Sequence, residues 1–299
     1  MSKKNKKAET TTGRRNISKR QDIVRRFLRN RNSVIGLVVT AIFVFVALFA
    51  PILVDYDTQV IQQDIPNRLL HPGEDPDHPL GTDELGRDVM ARLIYAAKMS
   101  LAIGAMAVLI AIGIGVVIGA SAGYFGGRVD TILMRIMEVL DGVPSFLMAL
   151  TICASLGASV YTLMIAIAVG SIAAQSRIVR SAVLTVKNNE YVEAAKAMGA
   201  SDMQIIFYHI IPNCVGTIIV QFSVKIAGGI LHASSLSFLG LGVQPPDPEW
   251  GAMLSGGRAY MLDNPTLTLF PGLCIMVVIL AFNMLGDGLR DSLDPRLKG

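Results

Sequence analysis

Met99-Ser-Leu-Ala-Ile-Gly-Ala-Met-Ala-Val-Leu-Ile-Ala-Ile-Gly-Ile-Gly-Val-Val-Ile-Gly-Ala-Ser-Ala-Gly-Tyr-Phe125 contains no charged side chain. A bilayer core about 30 Å thick is crossed by about 20 apolar residues in a helix, so this stretch reads as a membrane span. Within it Gly115, Gly119 and Gly123 recur at every fourth position. That spacing puts them on one helix face, where a second backbone can come close. A packing seam between spans or subunits is one reading; a bend in the span is the other.

Further uncharged or weakly charged runs flank this one. Residues 33–54 are uncharged and too long for the apolar core of a signal peptide, so they read as a retained first span. Residues 131–156 read as a third span despite Arg135, Glu138 and Asp141, with Asp141-Gly142-Val143-Pro144 as a place where it could break. Residues 158–175, 212–241 and 265–285 complete an expected set of six spans. The expected fold class is therefore an all-α polytopic membrane protein, and the composition agrees. Only 17% of residues are charged, against about 25% in soluble domains.

Charge placement gives an expected orientation. Of the 27 Lys and Arg, 12 fall between Lys3 and Arg31. Such a basic tail could bind nucleic acid, but a span follows it directly, so it reads as a cytoplasmic anchor and no nucleic acid is expected. Within residues 1–32, Ile23, Val24, Phe27 and Leu28 share a helical face amid basic residues, the pattern of a helix resting on membrane lipid. Residues 55–95 hold nine acidic residues against Arg68, Arg87 and Arg92 and read as an extracytoplasmic loop. Counting spans puts the basic stretch 176–210 and the tail 291–299 on the same side as the N-terminus. Cys153, Cys214 and Cys274 lie in separate apolar runs and read as buried thiols, neither a disulfide framework nor a metal site.

The loop 188–211 has a legible local design. Asn189 can cap a short helix with Glu190 in its first turn. Ala194, Ala195 and Ala197 keep one surface thin, and Gly199 can end the helix in the left-handed conformation. Ser201 and Gln204 have capping-box spacing for a second helix, and Pro212 suits the first turn of the next span. A small-residue helix with Glu193 exposed suits docking into a partner's cleft; the plainer reading is a linker between spans.

Several chemistries are missing. The chain has no GxxxxGK[ST], HExxH or CxxC sequence. No catalytic residue, metal site or bound cofactor is therefore expected. Charged residues inside spans are functional candidates because burying them is costly. Glu138, Asp141, Lys225 and the nearby His232 are the candidates for a translocation path, although Arg135 and Glu138, three apart, could simply pair.

Glu193-Ala194-Ala195, then Gly199, then His209-Ile-Ile-Pro212 resembles the EAA loop of ABC-importer permeases. Three further stretches are similar to the C-type permeases of dipeptide and oligopeptide importers: His78-Pro-Leu-Gly-Thr-Asp-Glu-Leu-Gly-Arg-Asp88, Leu236-Ser-Phe-Leu-Gly-Leu-Gly-Val-Gln-Pro-Pro246 with Trp250-Gly251, and Leu285-Gly-Asp-Gly-Leu-Arg-Asp-Ser-Leu-Asp-Pro-Arg-Leu297. The resemblance covers roughly residues 20–299 and departs from the pattern at Ala233, where relatives often carry Glu.

The resemblance implies a type I importer fold with its core at residues 96–290, in a bacterial or archaeal inner membrane. It implies a second, B-type permease subunit, two ABC ATPase subunits carrying ATP and Mg, an extracytoplasmic substrate-binding protein and a peptide substrate. Carried over by position, Glu193, Ala194, Ala195, Gly199, His209 and Pro212 would form the ATPase-coupling element. Two alternatives stand beside this: an importer of the same family for nickel or another small chelate, and an ATP-independent channel or carrier.

Overall fold

A computed structural model describes residues 19–293, so most of the basic tail (1–18) and the last six residues (294–299) lie outside the described part. The regular structure of the described residues is helical, with one isolated bridge between Thr82 and Asp88 and turns or irregular chain between the helices. In chain order the helices are α1 (Lys19–Arg29), α2 (Arg31–Leu53), α3 (Val89–Phe125), α4 (Gly127–Asp141), α5 (Ser145–Leu156), α6 (Val160–Val186), α7 (Glu190–Ala197), α8 (Asp202–Gln204), α9 (Ile211–Phe238), α10 (Trp250–Gly257) and α11 (Thr266–Leu293). A π-helical stretch, Ile205–Ile210, joins α8 to α9, and Asp202–Phe238 is one continuous rod. Among the described residues five helices are long and apolar enough to cross a membrane, and the bent pair α4–α5 makes a sixth if counted as one span.

α3 is the central post. It packs against α2, α4, α6, α9 and α10. α3 and α6 run parallel in close contact, because successive glycines of α3 meet successive turns of α6. α9 crosses α3 in the opposite sense where Gly104 meets Ile230, and α2 lies antiparallel on α11 where Gly36 meets Leu285. Small residues at these crossings let helices approach closely enough for dispersion and weak contacts to hold them in an apolar solvent.

Four of the spans differ from the boundaries read in the sequence. α3 begins at Val89 rather than Met99, so the preceding loop ends at Asp88 and Arg92 lies inside the helix. Arg92 can be buried because Asp83 Oδ2 lies 3.3 Å from its Nε and the Val60 carbonyl accepts from Nη1 at 2.8 Å. α6 does not stop at Gln175 but continues to Val186 through Arg177 and Arg180. Both arginines are met by carboxylates of α4, which removes the cost that suggested a boundary. The third span is two helices bent by 77°. Pro144 disfavours helical backbone at Val143 and supplies no N–H, and Gly142 adds freedom there. α11 likewise runs on past Leu285 to Leu293.

Between α2 and α3 the chain is a compact cap rather than a loose loop. Asp88 caps α3 through Ala91 N and is also bound to His78 Nδ1 at 2.9 Å. The cap meets the segment around α10. Tyr56 Oη donates to Asp247 at 2.5 Å, and burial followed by this bond pushes the Tyr56 pKa up to about 12. Glu249, fully buried, caps α10 through Ala252 N and accepts hydrogen bonds from Ser100 at 3.0 Å and Ser234 at 2.9 Å. One carboxylate thereby ties α3, α9 and α10 together.

Candidate functional site

At the opposite end of the bundle from α10, α6 gives way to the short helix α7. Asn189 occupies its N-cap position, but the side chain makes no capping bond and reaches the Tyr191 hydroxyl instead. This corrects the expectation of an Asn189 cap. Glu190 and Glu193 still lie in the first turn, where a carboxylate suits the positive end of the helix dipole. At the other end Gly199 has φ +85°. Its N–H reaches the Lys196 carbonyl, and Ala200 N reaches Ala195 O, which together are a Schellman motif. Ser201 and Gln204 then form a reciprocal capping box that starts α8.

The loop is tied down by few side chains. Val192 and Ala195 are buried in a cluster with Val179, Val183, Ile205, Ile206 and Ile210. Glu193, Ala194, Ala197 and Gly199 are exposed, and Met198 is 81% exposed. α7 therefore presents a thin face with one protruding thioether and one carboxylate, on a base that is continuous with α6 and α9. Phe207 and Tyr208 add exposed aromatic surface nearby in the chain.

Pro212 does not open a separate span. The rod already runs from Asp202, and the π-helical stretch lies just before the proline. A proline inside a helix removes one backbone bond and crowds the carbonyl of the previous turn. Widening the preceding turn relieves that crowding, and Asn213 Nδ2 donates to the His209 carbonyl at 2.7 Å. His209 itself is half-buried.

A second candidate site lies midway along the bundle. A cavity of about 300 Å³ opens between the α4–α5 bend, α6, α3 and α9. Asp141, Lys225 and His232 line it, together with Ser171, Gln175 and Pro144. Glu138 does not; it pairs with Arg135 at 2.8 Å on the exposed side of α4. His232 packs edge-on to Phe146. Arg177 Nη2 donates to Asp141 at 2.5 Å, and Arg180 grips Asp130 with two bonds of 2.6 Å. These two pairs fasten α4 to α6 just before α6 enters the α7 loop.

Sequence reasoning missed these fastenings and the cavity residues Ser171 and Gln175. A signal existed: Ser171 and Gln175 stand four apart in an otherwise apolar run, which marks one polar helix face. Asp130 and Arg180 are fifty positions apart and left no such trace.

The three glycines of α3 lie against α6. A Cβ at Gly115 would stand 2.7 Å from Gln175 Cβ, one at Gly119 2.8 Å from Val179 Cβ, and one at Gly123 2.9 Å from Val183 Cγ1. The seam is within the chain and runs from the cavity to the α7 end. Among the described residues no three His, Cys, Asp or Glu side chains come together as a metal site.

Comparisons with known proteins agree with this architecture. The family described as binding-protein-dependent transport system inner membrane component matches residues 115–299, and the N-terminal TM domain of oligopeptide transport permease C matches residues 18–72. A dipeptide transport system permease protein of Alkalihalophilus pseudofirmus is 41% identical over 282 residues, covering 94% of this chain and 91% of that protein. A glutathione transport system permease protein of Pectobacterium atrosepticum is 43% identical over 275 residues, covering 92% and 90%. An inward-facing structure of the MetNI methionine ABC transporter aligns with a TM-score of 0.55 at 16% identity, covering 69% of this chain and 98% of that one, a likeness of fold.

Proposed function

The chain belongs to the family of binding-protein-dependent transport system inner membrane components, and from that premise we propose that it forms, with a second related permease, the path by which an ATP-driven importer carries di- or oligopeptides across the inner membrane. The two similar permeases named above carry dipeptide and glutathione in their names, and glutathione is itself a small peptide. Nothing in the cavity favours a metal chelate over these.

In this reading both termini and the α7 loop face the cytoplasm, and the cap with α10 faces the extracytoplasmic binding protein. Two ATPase subunits, which bind ATP and Mg, grip α7 and its counterpart on the second permease. Glu193, Ala194, Ala195 and Gly199 form the coupling element. Force applied there passes into α6 through the three intervening residues and into α9 through the unbroken rod from Asp202. Both helices line the cavity. Two states suffice, provided ATP and the loaded binding protein both favour the outward one.

The observation that carries the reading is the construction of α7. It is a short helix pinned by Val192 and Ala195, exposed on its small-residue face, and joined by three and four residues to helices that bound the cavity. The test is co-purification of the ATPase subunits. Glu193→Arg and Gly199→Leu are expected to release them while the permease pair stays assembled. ATPase retention and normal uptake in both variants would overturn the coupling assignment.

A further inference from the structure

Lys225 sits midway along α9, half-buried, facing a cavity of about 300 Å³. That volume is at the lower end of the range for small-ligand sites, about 300–1,000 Å³. Among the described residues its ammonium has neither a hydrogen bond nor an ion-pair partner, and the carboxylate sharing the cavity, Asp141, is already held by Arg177 at 2.5 Å. Gln175 lines the same cavity at 1% exposure, and its amide, which makes no hydrogen bond among the described residues, is not one of the sealed unpaired groups, so the cavity is where it can find a partner. Buried polar groups are paired in the great majority of cases, and an unpaired cation within a span is expensive.

The Lys225 ammonium can only donate and the Gln175 amide can donate through Nε2, so one acceptor serves both; with Asp141 neutralised by Arg177, the charge left on Lys225 makes that acceptor an anion. The backbone leaves room for it. Gly228 lies one turn from Lys225 on the cavity face, and a Cβ there would meet nothing within 4 Å.

We propose that Lys225 and Gln175 form an anion subsite in this cavity that takes the terminal carboxylate of the passing peptide. This rests on the reading of the chain as a peptide-importer permease. A carboxylate entering the cavity gains an ion-paired bond from Lys225 and a charge-assisted bond from Gln175 Nε2, and it relieves the cost of the unpaired ammonium. The subsite recognises the end of the peptide backbone and is indifferent to side chains, which suits a path that passes many sequences.

The test uses the whole complex in proteoliposomes with its binding protein. Lys225→Gln is expected to lower uptake of a free-acid dipeptide about tenfold, the scale of one charge-assisted bond, while Lys225→Arg keeps most of it. A reporter, Ser171→Cys, reads the cavity without relying on the binding protein. The free-acid dipeptide is expected to slow its reaction with a thiol reagent, the C-terminal amide to have little effect, and Lys225→Gln to abolish the difference. Equal protection by acid and amide, or wild-type uptake in Lys225→Gln, would overturn the subsite. So would loss of uptake in Lys225→Arg and Lys225→Gln alike with dissociation of the second permease, because Lys225 would then be pairing with that subunit. ATP hydrolysis stimulated by the loaded binding protein in the wild type reports on the importer reading separately; its absence would sink that reading.

Discussion

At one end of the bundle Trp250 is fully buried, donates to the Leu93 carbonyl and stacks edge-on with Phe43. At the other end Met198 is 81% exposed. The α10 end is cross-braced by partners far apart in sequence: Glu249 with Ser100, Tyr56 with Asp247, Arg92 with Val60. The α7 helix itself is organised by neighbours, namely a Schellman turn, a capping box and two buried side chains, and its flanks are tied to α3 by Tyr124 Oη donating to Asp202 at 2.6 Å and Lys187 Nζ donating to the Gly123 carbonyl at 2.9 Å. The contrast teaches where rigidity is needed. A braced end acts as a fixed frame, whereas a short pinned helix is a surface for something else to hold.

The sharpest way to break this contrast is to truncate matching residues at the two ends. Trp250→Ala is expected to destabilise the protein by about 3–5 kcal/mol, read as a large fall in thermal unfolding temperature in detergent. Met198→Ala is expected to stay within about 0.5 kcal/mol of wild type while lowering ATP-driven uptake. Equal stability losses would mean that the α7 end is as tightly built as the α10 end.

The seam between the ends comes next. Gly119→Ala places a methyl against the Ser176 carbonyl and Val179, and is expected to cost about 1–3 kcal/mol by prising α3 from α6. Gly113, where a Cβ meets nothing within 4 Å, is the control. Gly113→Ala is expected to be neutral or stabilising, since alanine restricts the unfolded chain. The same unfolding assay reads both.

Smaller still is the turn after α7. Gly199→Ala forces a side chain into positive φ and is expected to cost about 1 kcal/mol, and Gly199→Asn less. Faster amide hydrogen exchange at Ala200 is the readout. A wild-type rate in Gly199→Ala would show that the turn carries no strain.

The smallest effect belongs to the cap and depends on pH. The Tyr56 pKa is raised to about 12 by burial and then by Asp247, above the ordinary value near 10. The stability this contributes is therefore fully present below about pH 10 and is lost as pH rises towards 12. Tyr56→Phe is expected to remove that alkaline loss from the stability profile and to lower stability in the neutral range by about 0.5 kcal/mol through the lost bond to Asp247. An unaltered alkaline limb would rule out the Tyr56–Asp247 bond as its source.

The same contrast decides what could be read from the sequence. Gly199, Ser201 with Gln204, and the apolar runs act through residues within a turn or two, so their meaning survives in the linear chain. Asn189 shows the limit, because its side chain chose Tyr191 over the helix terminus. The frame was hidden because its partners are distant. Nothing near Glu249 in sequence announces Ser100, and nothing near Arg177 announces Asp141. Those pairings are also why α3 and α6 outrun their uncharged cores. Charge marks the end of a span only when no partner answers it. Of the residues proposed for the path, Asp141, Lys225 and His232 meet at one cavity, while Glu138 is taken by Arg135 on the exposed surface of α4.

The central claim, that α7 is a cytoplasmic handle gripped by a separate motor, is tested most directly by a membrane-impermeant thiol reagent on Ala194→Cys, an exposed position on the small-residue face. The account expects labelling in inside-out vesicles stripped of the ATPase subunits, protection when those subunits are restored, and none in intact cells. Labelling from outside intact cells, or labelling that the restored ATPase leaves unchanged, would contradict it.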